Sequence, residues 1–192
     1  MSLLWEEKGP QNTEGTLKTT LQRSSELGIN NLVLSSNSGE TIKTLLSLIN
    51  GQGLNASKLN IVCVTHHVGF KGPGVDEMAP EIRNQLTEAG VKILTSTHLF
   101  AGLDRAVRNK FGGVYPAEIM AQTLRIFGQG VKVAVEVAGM AIDAGLIPHG
   151  EEVISIGGSA IGTDSAIVIV PAHSNKFFDT EVREIICMPR KK

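Results

Sequence analysis

The 192-residue chain lacks an excess of charge of either sign: 18 Lys and Arg stand against 19 Asp and Glu. That excludes a broadly basic nucleic-acid surface and an acidic solvating tail. One local basic cluster, Arg105, Arg108 and Lys110, can meet a single anion or form a solvated helical face. Cysteine is scarce. Cys63 and Cys187 sit in apolar, strand-like contexts with no metal partner at suitable spacing. Two such thiols make no disulfide framework and fit a reducing cytoplasm. Apolar runs such as residues 166–171 fall far short of the roughly 20 residues that span a bilayer. Residues 1–7 lack the basic start and apolar middle of a signal peptide. Neither a membrane nor a nucleic acid is an expected partner. Repeats, low-complexity tracts and linkers are missing too, so one domain over residues 1–192 is expected, with room for a full core.

What is present is an alternation of helical and strand patterns. An amphipathic helix opens at Asn12, carries Leu17, Leu21 and Leu27, and stops at Gly28. Strands are expected at 32–35, 59–65 and 91–96, with helices at 40–49 and 80–89 between them. Repeated strand–helix–strand units argue for a parallel sheet. The middle breaks the rhythm with three successive helices, at 103–110, 117–127 and 131–144. Strands at 152–156, 165–170 and 181–188 follow, the last carrying Val182, Ile185 and Cys187. Their short connections favour antiparallel pairing at that edge. The fold class is α/β, in three layers, mostly parallel with an antiparallel edge.

The most informative stretch is Leu32-Val33-Leu34-Ser35-Ser36-Asn37-Ser38-Gly39-Glu40-Thr41. A strand runs through a polar turn straight into a helix start. Free N–H groups there, beside Ser35, Ser36, Asn37, Ser38, Gly39 and Thr41, suit a phosphate. The alternative is an ordinary cap in which Ser38 satisfies the orphan N–H groups. Glu40 repels an anion unless it points outward.

Further candidates lie at strand ends, where ligands of open α/β sheets bind. Thr65-His66-His67 ends one strand and His98 follows another. These histidines suit proton carriage or ring contact. An adjacent pair on a strand points to opposite faces, and no carboxylate cluster argues for a metal. The glycine-rich segment 66–79, with Phe70 and Lys71, is either a lid or a mobile surface loop. Glu136 interrupts an apolar helix. It either lines a cavity as an acid or base, or pairs with a lysine or the helix dipole. His173 is left at either sheet end.

Three ordered stretches resemble one family, the C-terminal domain of pyruvate kinase. They are the 32–41 turn, then Ala138-Gly139-Met140-Ala141-Ile142-Asp143-Ala144-Gly145-Leu146-Ile147-Pro148 with the 152–156 strand, then the 157–165 loop and the strand ending Val170-Pro171. The resemblance spans roughly residues 13–171. Pro171-Ala172-His173 and residues 184–190 are similar to a mostly archaeal group of small, stand-alone relatives. Some of those are associated with flavin mononucleotide (FMN).

The resemblance implies a phosphorylated small molecule, FMN foremost, with its phosphate on the 35–41 turn. Gly157, Gly158, Ser159, Gly162, Thr163 and Asp164 would form the adjoining wall, unless they are only a glycine-rich turn. Asp164 would accept from a ribityl hydroxyl or ring N–H. Thr65, His66, His67 and the segment after them would approach the ring. Pyruvate kinase chemistry resides in a β/α barrel of about 250 residues, which this chain cannot hold, so that activity is not expected. Two alternatives remain: an enzyme using Glu136, His66 or His67 on the same pocket, and a sugar-phosphate sensor acting through a partner. An apolar patch exposed on the extra helices would favour the sensor. Self-association is left open.

Overall fold

Near-continuous runs of branched and apolar residues build a sheet whose central strands are buried on both faces. The computed structural model describes residues 2–53 and 55–191; Met1, within the 1–7 reading, and Leu54 and Lys192, within the one-domain reading, lie outside them. Seven strands form one sheet: β1 (Leu3–Trp5), β2 (Asn31–Ser35), β3 (Asn60–Thr65), β4 (Lys92–Thr95), β5 (Val153–Gly157), β6 (Ser165–Val170) and β7 (Glu181–Pro189). Their spatial order is β1-β7-β6-β5-β2-β3-β4. Pairs β5–β2, β2–β3, β3–β4 and β1–β7 are parallel, and β5–β6 and β6–β7 antiparallel.

Alternation divides the core. Leu32, Leu34, Ile61, Cys63, Ile154 and Ile156 face one layer, built from α1 (Thr13–Leu27), α2 (Glu40–Gly51) and α3 (Pro80–Glu88). Val33, Val62, Val64, Val153 and Ile167 face the other, where α6 (Gln129–Asp143) packs through Ala134, Ala138 and Ala141. Two further helices, α4 (Gly102–Phe111) and α5 (Pro116–Leu124), lie between β4 and α6 in the chain.

Several expectations change in detail. Three residues carry too little periodicity to signal a strand, so β1 comes as an addition. It covers the outer flank of β7, and the antiparallel strands therefore lie one position in from the edge. Two register shifts between β6 and β7 explain why Val182, Ile185 and Cys187 are not evenly spaced. Leu27 is exposed, while Ser24 takes a buried place on α1. The helix expected at 117–127 is α5 followed by a 3-10 turn, Arg125–Phe127, and Gly128 at φ +104° separates it from α6.

Both thiols are core residues. Cys63 and Cys187 are buried and unpaired, and burial pushes them up to about 12 and about 11. No helix among the described residues is long and apolar enough to cross a membrane.

Candidate functional site

Parallel strands β2, β3, β4 and β5 deliver their C-terminal ends to one edge of the sheet. The helices run back against the strands, so the N-termini of α2, α3 and α6 gather there. Aligned peptide dipoles make that edge favourable for negative charge. Strand β5 lies directly beside β2. The 36–39 turn and the 158–164 loop therefore leave neighbouring strands on the same side.

The 36–39 turn is rigid. The Ser36 N–H donates to Val64 O at 3.0 Å, and Cys63 Sγ approaches Ser36 O at 3.4 Å. Ser36 and Thr41 are buried, Ser35 and Asn37 half-buried, and Ser38 exposed. Gly39 caps α2 at φ +86°, and no side chain bonds the first-turn amides. Ser38 is thus no cap. Gly39 is required by packing as well as by its φ, because a Cβ there would sit 2.6 Å from Ile82 Cγ2 of α3. Its Cβ side faces protein, so that side gives no approach to a ligand. Glu40 turns outward and pairs with Lys43 at 2.9 Å.

Asn37 joins the turn to the histidines. The His66 N–H donates to Asn37 Oδ1 at 2.9 Å, which leaves Asn37 Nδ2 against His66 Nε2 at 3.3 Å. That amide orientation makes Nε2 the acceptor and puts the ring proton on Nδ1, 2.5 Å from Glu77 Oε1. Burial raises the Glu77 carboxyl, but His66 and Lys71 outweigh it and hold the group below its ordinary value. Both nitrogens of His66 are therefore engaged.

Phe70 stacks on His66 with centroids 3.7 Å apart. His67 meets the same Phe70 edge-on at 5.7 Å. The two histidines thus share a neighbour instead of facing apart, because β3 ends at Thr65 and its period ends with it. Thr65 is buried, with its hydroxyl 2.8 Å from that of Thr95. Segment 66–79 is not a loose surface loop. Met78 reaches the core, and Asp76 pairs with Arg83 at 2.7 Å.

His98 continues the cluster, 5.1 Å from His66 between centroids and 3.9 Å from Glu136 Oε2. Burial pulls His98 below its ordinary value, against the opposing pull of Glu136. Glu136 is 1% exposed; its carboxylate accepts from the Phe100 N–H at 3.0 Å and from Lys132 Nζ at 2.5 Å. Glu136 therefore pairs with a lysine, as one expectation had it, and its carboxylate also lines a cavity.

That cavity measures about 90 Å³ and is walled by His98, Arg105, Arg108, Arg125, Lys132 and Glu136, among others. Arg105 and Arg108 reach it; Lys110 instead lies over the Phe111 ring. Arg125 and Lys132 went unnoticed in the sequence. The Lys132–Glu136 spacing of four in an apolar helix was the available signal.

A second cavity, of about 210 Å³, is lined by Ser159 together with Lys8, Arg125, Gln129 and Lys191. Within the glycine-rich loop, Ser159 is half-buried and lines this cavity, while Ala160 and Ile161 are exposed. Gly157, Gly158 and Gly162 are packed against backbone or Thr13. Thr163 donates from its hydroxyl to Gly157 O at 2.5 Å. Asp164 is fully buried and accepts from the Gly9 N–H at 3.2 Å and from the Ser165 hydroxyl at 3.0 Å. Its carboxylate ties down the N-terminal segment through Gly9. Neither of these two cavities is lined by a residue of the 35–41 turn. His173 lies at the opposite sheet end, 3.1 Å from Asp143 at the C-terminus of α6.

Asp164→Ala is expected to cost about 1–3 kcal/mol, the usual penalty for orphaned buried donors. Limited proteolysis should then cut residues 2–12 first; unchanged resistance there would refute the tether.

Among known families, the one described as pyruvate kinase, alpha/beta domain, matches residues 14–169. Two solved structures of pyruvate kinase from Cryptosporidium parvum are similar, the second in complex with ADP. Each is 13% identical with a TM-score of 0.39; they cover 81% and 92% of this chain, but only 22% and 24% of theirs. This chain spans less than a quarter of the length of those enzymes.

Proposed function

The chain belongs to the pyruvate kinase alpha/beta domain family, and from that premise we propose that it binds a phosphorylated small molecule, FMN foremost, at the C-terminal edge of its sheet. The observation that carries this reading is the N-terminus of α2. Its amides have no side-chain cap, the exposed Ser38 stands beside them, and Glu40 is turned away. The Ser159 cavity, with Lys8, Arg125 and Lys191 on its wall, offers cationic ground beside the neighbouring loop. Phe70, 38% exposed over His66, offers an aromatic surface to a ring.

A second reading, a sugar-phosphate sensor acting through a partner, is supported by apolar side chains exposed on and around α4 and α5. Leu103, Phe111 and Val114 stand 83%, 72% and 73% exposed, with Ile119 and Ile126 beside them. An enzymatic reading would fall on His98 before His66, since both nitrogens of His66 are taken.

FMN added to the purified chain should raise the melting temperature, and Ser38→Asp should abolish the rise while leaving the fold intact. No shift with FMN removes the first reading. A shift with fructose bisphosphate in its place favours the sensor.

A further inference from the structure

The cavity under α4 and α5 holds a charge imbalance that the proposed phosphate turn does not use. Four cations line it, Arg105, Arg108, Arg125 and Lys132, against two carboxylates, Glu118 and Glu136. Arg108 is matched by Glu118, and Lys132 by Glu136. Arg105 and Arg125 have no carboxylate partner among the described residues. Arg105 lies 5.5 Å over Phe70, and Arg125 donates from Nε to Gln129 Oε1 at 2.6 Å. Lys132 is a built element and no surface accident, with its side chain 8% exposed and its Nζ 5.3 Å over the Phe100 ring.

We propose that this cavity is a second anion site, which takes one compact oxyanion between Arg105, Arg125 and the buried Lys132. Like charges drawn from three helical segments around one pocket repel one another, and an anion at their centre reverses that term. The repulsion is felt at Lys132: burial lowers its affinity for a proton, Glu136 opposes that, and Arg125 and Arg105 add to it. The planar guanidinium forks match the oxygens of a phosphoryl or carboxylate group. Size limits the occupant. A space of about 90 Å³ suits a phosphate or small dicarboxylate better than a flavin ring. His98, whose hold on a proton burial weakens against the opposing pull of Glu136, closes the side toward His66.

The test uses the whole chain, with inorganic phosphate and malonate as separate probes and sodium chloride at matched ionic strength as the control. Isothermal titration should show saturable binding of one probe, and which one answers tells phosphoryl from dicarboxylate. Arg105→Gln and Arg125→Gln should each weaken binding tenfold or more. Both side chains reach solvent, and far-UV circular dichroism checks that both variants fold; Arg105→Lys and Arg125→Lys, which keep the charge but lose the fork, should fall in between. Ser38→Asp, which blocks the α2 turn, should leave this binding in place. Two results overturn the proposal: neither probe exceeding chloride, or binding that is lost in Ser38→Asp and unchanged in both glutamine variants. Failure here leaves the FMN assay unaffected, because that assay reads the α2 turn; Arg125 also borders the Ser159 cavity, so Arg105→Gln, which does not, decides between the two sites.

Discussion

Glu136→Ala should destabilise this domain by about 3–5 kcal/mol, the range for breaking one side of a buried ion pair. Lys132 would keep its charge in a buried place with no carboxylate, and the Phe100 N–H would lose its acceptor. Against a typical total of about 5–15 kcal/mol, that is a large share. The sign of the pH dependence is also fixed. Lys132 already releases its proton more readily in the folded chain, and Glu136 is the main group that opposes this. In the variant, the unfolded chain holds the lysine proton to higher pH than the folded one. Stability should therefore rise with pH through the window below about 10.4, the ordinary lysine value. Urea unfolding at several pH values measures both effects. Replacing the pair together, Lys132→Met with Glu136→Leu, should recover most of the loss, since no charge is then stranded. A loss under about 1 kcal/mol in Glu136→Ala would show that the pair is solvated and the cavity open.

Gly157→Ala should also be strongly damaging, at about 3 kcal/mol or more, the upper range for overpacked sites. The last residue of β5 lies against the first turns of α6. A Cβ there would run into the Gly130 carbonyl oxygen, and would sit 2.8 Å from Ala134 N. Both obstacles are backbone, so no rotamer change makes room. Relief requires α6 to move off the sheet, which would also shift Lys132 and Glu136. The readout is the urea midpoint, with the phosphate affinity of any folded fraction as a second measure. A near-neutral substitution would mean that α6 is not seated on β5 as described. Gly157 reads as a ligand-approach glycine from its neighbours in the chain; its tertiary surroundings make it a helix-packing one.

That reversal recurs at the other candidates. Ser35 to Thr41 was legible as a strand–turn–helix unit because apolar period, polar turn and helix pattern adjoin in the chain. What Gly39 and Asn37 do was not legible. Gly39 meets Ile82 of α3, and Asn37 orients His66, both contacts between segments far apart in sequence. Asp164 looked like a ligand contact in a glycine-rich loop, yet its partner is the Gly9 amide, 155 positions away. Arg105 and Arg108 were visible as a cluster, but nothing local announced that Arg125 and Lys132 would converge on them.

Residue order by itself determined the elements and their faces. Alternating Leu32, Val33 and Leu34, or Ile61, Val62 and Cys63, assign each side chain to one layer or the other, because a strand's period is a local property of the backbone. The α/β class, the helix ends at glycine and the location of turns at strand ends followed from the same local rules. Tertiary structure alone decided the neighbours. It set β5 beside β2 and β1 outside β7, drew α4 and α5 over the start of α6, and enclosed four cations around one cavity. The reason is physical. Strand order and helix docking follow from which apolar faces bury each other across the whole chain, and no window of neighbouring residues contains that competition.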